Sequence, residues 1–210
     1  PQSRRGAQRR VPGSERAVTR RPFDYYPTGG GEVPGESPTW AAQALYRRCP
    51  QIRGIVEPCV GTGDLVRGRE DMHWTNDLDI GRQASAHLDM CDPASWARMP
   101  QPPWVVTNPP FNVAHLILAN ALDRARDGVA FLLRLTFLEP VEARARLLRD
   151  RPPKRLIVLP RISFTGDGKM DSVTCAWMLW GDIAPGIEVV GKAEKAGGDG
   201  TEQLDMWGQR

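Results

Sequence analysis

From residue 53 onward, short apolar runs alternate with segments whose apolar positions recur at helical spacing. Gly54-Ile55-Val56 predicts a strand that ends in Glu57-Pro58 and a glycine turn. Met72 to Asn76 predicts a second strand, and Ala86 to Met90 a short third. Pro93 to Met99 fits one or two helical turns. Trp104 to Thr107 is a strand stopped by Asn108-Pro109-Pro110. In residues 113 to 126, Ala114, Ile117, Leu118, Ala121 and Leu122 fall on one helical face. The run from Gly128 to Leu135 lacks alternation and predicts a strand buried on both faces. A helix from Val141 to Arg149 follows, then strands over Arg155 to Leu159 and Ser172 to Trp180, with one further candidate at Ile187 to Val190. Upstream, Ser37-Pro38 supplies an N-cap and a first-turn proline for a helix reaching Cys49, with Trp40, Ala41, Ala44 and Leu45 on its apolar face.

Strands that alternate with helices argue for a parallel sheet covered on both faces, an α/β architecture. The strands near 155 and 173 are joined by a loop too short for a helix, so they form an antiparallel hairpin, expected at one edge of the sheet. No internal repeat is visible.

Composition narrows the class only a little. With 40% hydrophobic and 25% charged residues in 210, the chain is an ordinary globular protein with one sizeable core. No apolar run approaches the roughly 18 residues of a membrane span, and a soluble, cytoplasmic protein is expected. Cys49, Cys59, Cys91 and Cys175 form no CxxC pair, and His73, His87 and His115 do not complete a ligand set with them, so no metal site is expected.

Charge is uneven. The net charge is +3, yet residues 1 to 22 alone carry seven arginines against Glu15. This arm has little to bury and is expected to be disordered by itself. It reads either as a tether to nucleic acid phosphates or as a solvated tail.

Three stretches carry candidate chemistry. Glu57-Pro58-Cys59-Val60-Gly61-Thr62-Gly63-Asp64-Leu65 follows a strand, where open α/β sheets bind ligands. The full G-x-G-x-x-G phosphate fingerprint is missing because residue 66 is Val, and no Walker lysine follows. Acids flank the glycines instead. They repel pyrophosphate and suit a cationic ligand, such as the sulfonium and ammonium of S-adenosylmethionine. Asp77, at the end of the second strand, can accept hydrogen bonds from ribose hydroxyls, with Asp79 near enough to compete.

The third stretch is Thr107-Asn108-Pro109-Pro110-Phe111. The prolines fix φ at two positions and hold Asn108 extended. The Asn108 amide oxygen and a backbone carbonyl can then accept hydrogen bonds from one amine and draw its nitrogen lone pair out of conjugation. Phe111 can stack on an aromatic ring. A flipped-out base would supply both amine and ring.

Together these stretches resemble the amino-methylating class of S-adenosylmethionine-dependent DNA methyltransferases, especially the compact phage-type N6-adenine enzymes. Glu57 to Leu65 is similar to that family's first motif, and Asn108 to Phe111 to its catalytic [DNS]-P-P-[YFW] motif. Phe23 to Thr28 resembles its cofactor clamp. Leu132 to Glu139 resembles its strand-to-helix segment, and Pro160 to Phe164 with the Trp177 to Trp180 strand its terminal hairpin. The order of the motifs is that of the γ arrangement. The resemblance implies a Rossmann-like, seven-stranded, mostly parallel sheet with one antiparallel strand, in a catalytic domain over 23–191 between the basic arm (1–22) and a polar, Gly-rich tail (192–210).

The same resemblance implies the roles. Asn108, Pro109, Pro110 and Phe111 are catalytic. Tyr26, Thr28, Glu57, Pro58, Cys59, Gly61, Gly63, Asp64, Asp77, Asp89 and Met90 hold S-adenosylmethionine, with Tyr26 and Thr28 at its methionine portion, Asp77 at the ribose, Asp89 at the adenine amine and Met90 on the adenine ring. The residues themselves add two expectations: Phe164, in a loop before a Gly-Asp-Gly-Lys turn, can reach a base, and Arg144, Arg146, Arg149 and Arg151, with the arginine arm, can hold the nucleic acid backbone. The γ enzymes usually carry a separate target-recognition domain near the C-terminus. Only about 30 Gly-rich, polar residues follow the terminal strand here, which implies loose selection by neighbouring sequence. Adenine and cytosine both present a suitable amine. Guanine in RNA and glutamine in proteins are the substrates of families that share N-P-P-[YF], and an inactive nucleic-acid-binding protein with this fold is the non-enzymatic alternative.

Overall fold

A computed structural model of the chain describes residues 40–161 and 173–191. Among these residues seven strands form one sheet: β1 (Ile55–Glu57), β2 (Met72–Thr75), β3 (Trp104–Thr107), β4 (Gly128–Arg134), β5 (Arg155–Val158), β6 (Cys175–Gly181) and β7 (Gly186–Val189). The helices are α1 (Trp40–Arg48), α2 (Pro93–Trp96), α3 (Ala114–Arg124) and α4 (Glu142–Asp150), and a 3-10 turn spans Leu135–Leu138. The strand order is β2-β1-β3-β4-β6-β5-β7. β6 runs antiparallel to both its neighbours, β4 and β5, and every other pairing is parallel.

Strand periodicity places the core on both faces of this sheet. Trp104 and Val106 of β3 join Ala130 and Leu132 of β4, Trp177 and Leu179 of β6, and Ala41 and Leu45 of α1. Val105, Val129, Phe131, Leu133 and Met178 point the other way, against Trp96 of α2 and Ala114, Ile117, Leu118 and Ala121 of α3. The unbroken apolar run of β4 thus has the burial that its lack of alternation requires: Gly128 to Leu133 are all buried. Trp177 anchors α1 to the sheet, its indole N–H donating to the Ala41 carbonyl at 2.8 Å.

Two sequence expectations need correction. Ala86 to Met90 does not form a strand; it contributes a single parallel bridge between Asn76 and Ala86. The segment's hydrogen bonds go instead to the Asn76 side chain, which takes the place of a ladder. The β5/β6 hairpin forms, but it is not the edge of the sheet. β7 pairs parallel to β5 and takes that position, with Ile187 and Val189 exposed on it. The helix expected from Ser37 is seen from Trp40, its capping residues lying outside the described segment. Among the described residues no helix is long and apolar enough to cross a membrane.

Close packing at the base of β4 demands a glycine. A Cβ on Gly128 would stand 2.5 Å from the Trp104 ring and 2.5 Å from the Trp180 carbonyl. Gly128→Ala should therefore lower stability by about 1–3 kcal/mol, read as a fall in the urea midpoint at unchanged slope. An unchanged midpoint would mean that the Trp104 ring swings aside without cost.

Candidate active site

β1 and β3 are adjacent and parallel, with Val56 opposite Val105. Their carboxyl ends therefore lie side by side, about 5 Å apart. Glu57 closes β1, and Thr107 closes β3 just before Asn108. The glycine turn and the Asn-Pro-Pro-Phe stretch, separated by some forty residues of sequence, thus meet at one edge of the sheet. The Cys59 thiol faces the Thr107 hydroxyl across this junction, and burial together with Asp77 pushes the thiol's pKa up.

The turn after β1 has left-handed backbone at Gly61 (φ 55°) and Gly63 (φ 78°), which a side chain would strain. A Cβ at Gly63 would meet nothing within 4 Å, so the space beside it is open. The amide of Gly61 donates to Asp77 Oδ2 at 2.8 Å, and the Asp79 amide donates to Asp77 Oδ1 at 2.9 Å. Asp77 is thereby fixed against the turn. Asp79 is committed to its own turn, accepting from the Gly81 amide and pairing with Arg82. Asp64 accepts from the Thr62 hydroxyl and from Arg67, the latter at 2.9 Å. Its charge is therefore balanced within the turn.

Glu57 is different. It is 1% exposed, and its Oε2 has no hydrogen-bond partner among the described residues. Burial, reinforced by Asp64 and Asp77, raises its pKa well above the ordinary 4.5. A buried carboxyl with an unsatisfied oxygen beside two further acids can take up a positive charge. Among the described residues no group of three His, Cys, Asp or Glu side chains could hold a metal ion.

Asn76, which sequence reasoning left as the end of a strand, holds this edge together. It is fully buried, and its amide donates to the carbonyls of Pro58 (3.1 Å) and Leu88 (2.9 Å) while accepting from the Leu88 amide at 2.8 Å. It thus ties the turn after β1 to the segment carrying Asp89 and Met90. Asp89 is exposed and accepts from the Cys91 amide. Met90 is 3% exposed, and its carbonyl accepts from the Trp96 indole and from Asn120. The one signal for Asn76 in the sequence was a polar residue ending an apolar strand directly before Asp77.

Just past the end of β3, Pro109 is buried, and Asn108, Pro110 and Phe111 are half-buried. Phe111 packs against both core clusters, at the seam where the two faces of the sheet meet. The Arg134 guanidinium lies over its ring, 4.4 Å from the centroid.

The arginines of α4 are spread from one end of the sheet to the other. Arg144 donates to the carbonyls of Thr136 (2.7 Å) and Glu139 (3.0 Å) and covers the Phe137 ring, bracing the 3-10 turn. Arg146 and Arg149 are largely exposed and pair with Asp150. Arg151 pairs with Asp123 at the far end of α3, and its carbonyl accepts from Trp180, which lies beside the start of β4. It therefore sits at the opposite end of the sheet from Asn108. Tyr26, Thr28, Phe164 and the basic arm lie outside the described residues.

No family model matches this chain, and no curated protein matches its sequence. Solved structures do. A candidate class I S-adenosylmethionine-dependent methyltransferase from Listeria monocytogenes aligns at a TM-score of 0.50 and 12% identity over 77% of this chain and 67% of its own. A candidate RNA methyltransferase from Pyrococcus horikoshii aligns at 0.49 and 14% over 68% and 81%. The modification subunit of a candidate type I restriction enzyme from Vibrio vulnificus aligns at 0.48 and 12% over 72% and 45%. The likeness to the Listeria protein shows a common fold: the chain has the Rossmann-like architecture of class I methyltransferases.

Proposed function

We propose that this chain transfers a methyl group from S-adenosylmethionine to the exocyclic amine of a nucleic-acid base, N6 of adenine in DNA. The observation that carries the reading is the meeting of Glu57 and its glycine turn with Asn108-Pro109-Pro110-Phe111 on adjacent parallel strands. The residues present fit the cofactor. Glu57 offers a buried oxygen in want of a cation, open space lies beside Gly63, and Asp77, fixed by two backbone amides, retains lone pairs for ribose hydroxyls. Asp89 and Met90 are held in place for the adenine by the Asn76 staple. When bound, S-adenosylmethionine supplies an electrophilic methyl group.

The chain's own part is orientation. Asn108 and the Pro109 carbonyl accept the two hydrogens of the target amine, which turns its lone pair away from the ring. Phe111 stacks on the extruded base. Placement and lone-pair exposure, rather than a strong general base, then supply the acceleration, and the amine proton leaves to water. The seven arginines of residues 1 to 22 and the exposed Arg146 and Arg149 attract the phosphate backbone, as a field rather than as part of the pocket. Phe164, Tyr26 and Thr28 complete the base and cofactor contacts in this reading.

Asn108→Ala should cut labelled methyl transfer to unmethylated DNA by about 10²- to 10³-fold, while calorimetric affinity for S-adenosylmethionine stays within twofold or so. Robust transfer to RNA or to protein, with none to DNA, would overturn the substrate. Mass analysis of nucleosides from the methylated DNA should show N6-methyladenine; N4-methylcytosine would correct the base. Removing residues 1 to 22 should flatten the salt dependence of DNA binding, because fewer counterions are released.

Glu57 predicts a pH dependence of opposite sign for binding and for stability. A cationic ligand favours the carboxylate, so affinity for S-adenosylmethionine should rise as pH climbs through the raised Glu57 value. The ligand-free fold behaves in reverse. Above about 4.5 the unfolded chain gives up a proton that the folded chain keeps. Stability from Glu57 is therefore fully present below that value and declines as pH rises toward the folded one. Glu57→Gln should flatten both profiles, measured by calorimetry and thermal melting across pH; profiles as steep as those of the unsubstituted chain would assign the proton elsewhere.

A further inference from the structure

Every polar group of Asn76 has a partner. Its main chain belongs to the turn after β1: the amide donates to the Glu57 carbonyl at 2.8 Å, and the carbonyl accepts from the Val60 amide at 2.8 Å. Its side chain reaches across to a different segment. Oδ1 accepts from the Leu88 amide at 2.8 Å and Nδ2 donates to the Leu88 carbonyl at 2.9 Å, with a further bond from Nδ2 to the Pro58 carbonyl at 3.1 Å. The planar amide thus grips both backbone groups of one residue, which fixes the orientation of Leu88 as well as its distance. Strand pairing adds little here, a single bridge at Ala86. Beyond Leu88 the chain is held again. The Met90 carbonyl accepts from the Trp96 indole of α2 at 2.8 Å and from Asn120 of α3 at 3.2 Å. Asp89 stands between these two anchors, with its side chain exposed.

Building on the S-adenosylmethionine site proposed above, we propose that Asn76 is a positioning residue that selects the adenine of the cofactor: it fixes Leu88, and through it Asp89, against the glycine turn and Asp77. An exposed carboxylate that can turn pairs as well with water as with a ligand. Selection at Asp89 therefore depends on how firmly its backbone is held. Adenine presents its donor on the exocyclic amine. Hypoxanthine, its deaminated counterpart, has a carbonyl oxygen there and carries its donor on the neighbouring ring nitrogen. A carboxylate fixed opposite the amine meets that oxygen and rejects the base, whereas a loosely held one turns to the ring N–H and accepts it. Asn76 touches neither base. It acts through Leu88, whose next residue is Asp89.

The test compares two thioethers that differ only at this group, S-adenosylhomocysteine and S-inosylhomocysteine, by calorimetry on the full chain. The unsubstituted chain should bind the adenosyl compound about ten- to a hundredfold more tightly, the range of one hydrogen bond to a charged group. Asn76→Ala should shrink that ratio to about threefold or less, mostly by weakening the adenosyl compound. Exchange of the Leu88 amide should quicken by about tenfold or more, while the Val60 amide, bonded to the Asn76 main chain, keeps its protection. Where the Ala variant melts below the assay temperature, Asn76→Asp, which retains the acceptor for the Leu88 amide, takes its place and should lower the ratio as well. On the unsubstituted chain, the adenosyl compound should slow Leu88 exchange more than an equal occupancy of the inosyl compound does. A merely structural role would weaken both ligands equally and leave the ratio intact. That result, an unchanged Leu88 exchange rate in the variant, or equal slowing by the two ligands would overturn the proposal, as would an unsubstituted chain that binds both alike. If the unsubstituted chain binds neither these compounds nor S-adenosylmethionine, the cofactor reading fails and Asn76 loses its role with it; if it binds them, the ratio judges Asn76 alone.

Discussion

Parallel pairing obliges two neighbouring strands to end on the same side of a sheet, and β1 and β3 do so with Val56 opposite Val105. Everything of chemical interest depends on that constraint. It places a buried carboxyl beside an amide and two prolines, although the chain between them makes β2, the long loop to Met90, and α2. The register also matters. A slip of one residue would turn Val105 and Val106 to the wrong faces and carry Asn108 away from the turn after β1.

Burying Glu57 works against folding, since a carboxyl deep in the sheet gives up hydration without regaining a full set of partners. The acids and the amide around it are satisfied. Asp77 is held by two backbone amides and Asp64 by Thr62 and Arg67. Asn76 uses its amide three times, on Pro58 and twice on Leu88. Glu57 Oε2 and, at the end of β3, the Thr107 hydroxyl have no hydrogen-bond partner among the described residues, and open space adjoins Gly63. Buried polar groups left without partners at one end of a sheet occur at functional sites more often than elsewhere.

Asn76 also explains how the sheet manages without a further strand next to β2. Residues 86–90 lie parallel to the end of β2 for one bridge only. A side chain then takes over the hydrogen bonds that a ladder would make, and the segment is free to bend toward Asp89 and Met90. The seventh strand comes from the other edge, where Glu188 of β7 pairs with Arg48 and Arg155 and so ties the edge to α1 and β5. An edge strand with exposed Ile187 and Val189 has few long-range signals in its sequence, and its pairing partner could not be named from it.

Periodicity and punctuation determined most of the elements. β3 and β4 were legible because β-branched and aromatic runs end at Asn-Pro-Pro and begin at Gly128, and α3 because five apolar positions share a face. The glycine turn and the Asn-Pro-Pro-Phe stretch were legible as well, since few residue types tolerate such backbone, and local backbone preference is a property of sequence. What only the tertiary structure decided is which residues those stretches meet. Asn76 looked like no more than the end of a strand. Arg144 and Arg151 are expected at a nucleic acid backbone, and their partners within the chain, a 3-10 turn for one and Asp123 at the far end of α3 for the other, were not legible. Side-chain partners depend on strand order and register. These are set by the packing of the whole core, and no short window of the chain contains them.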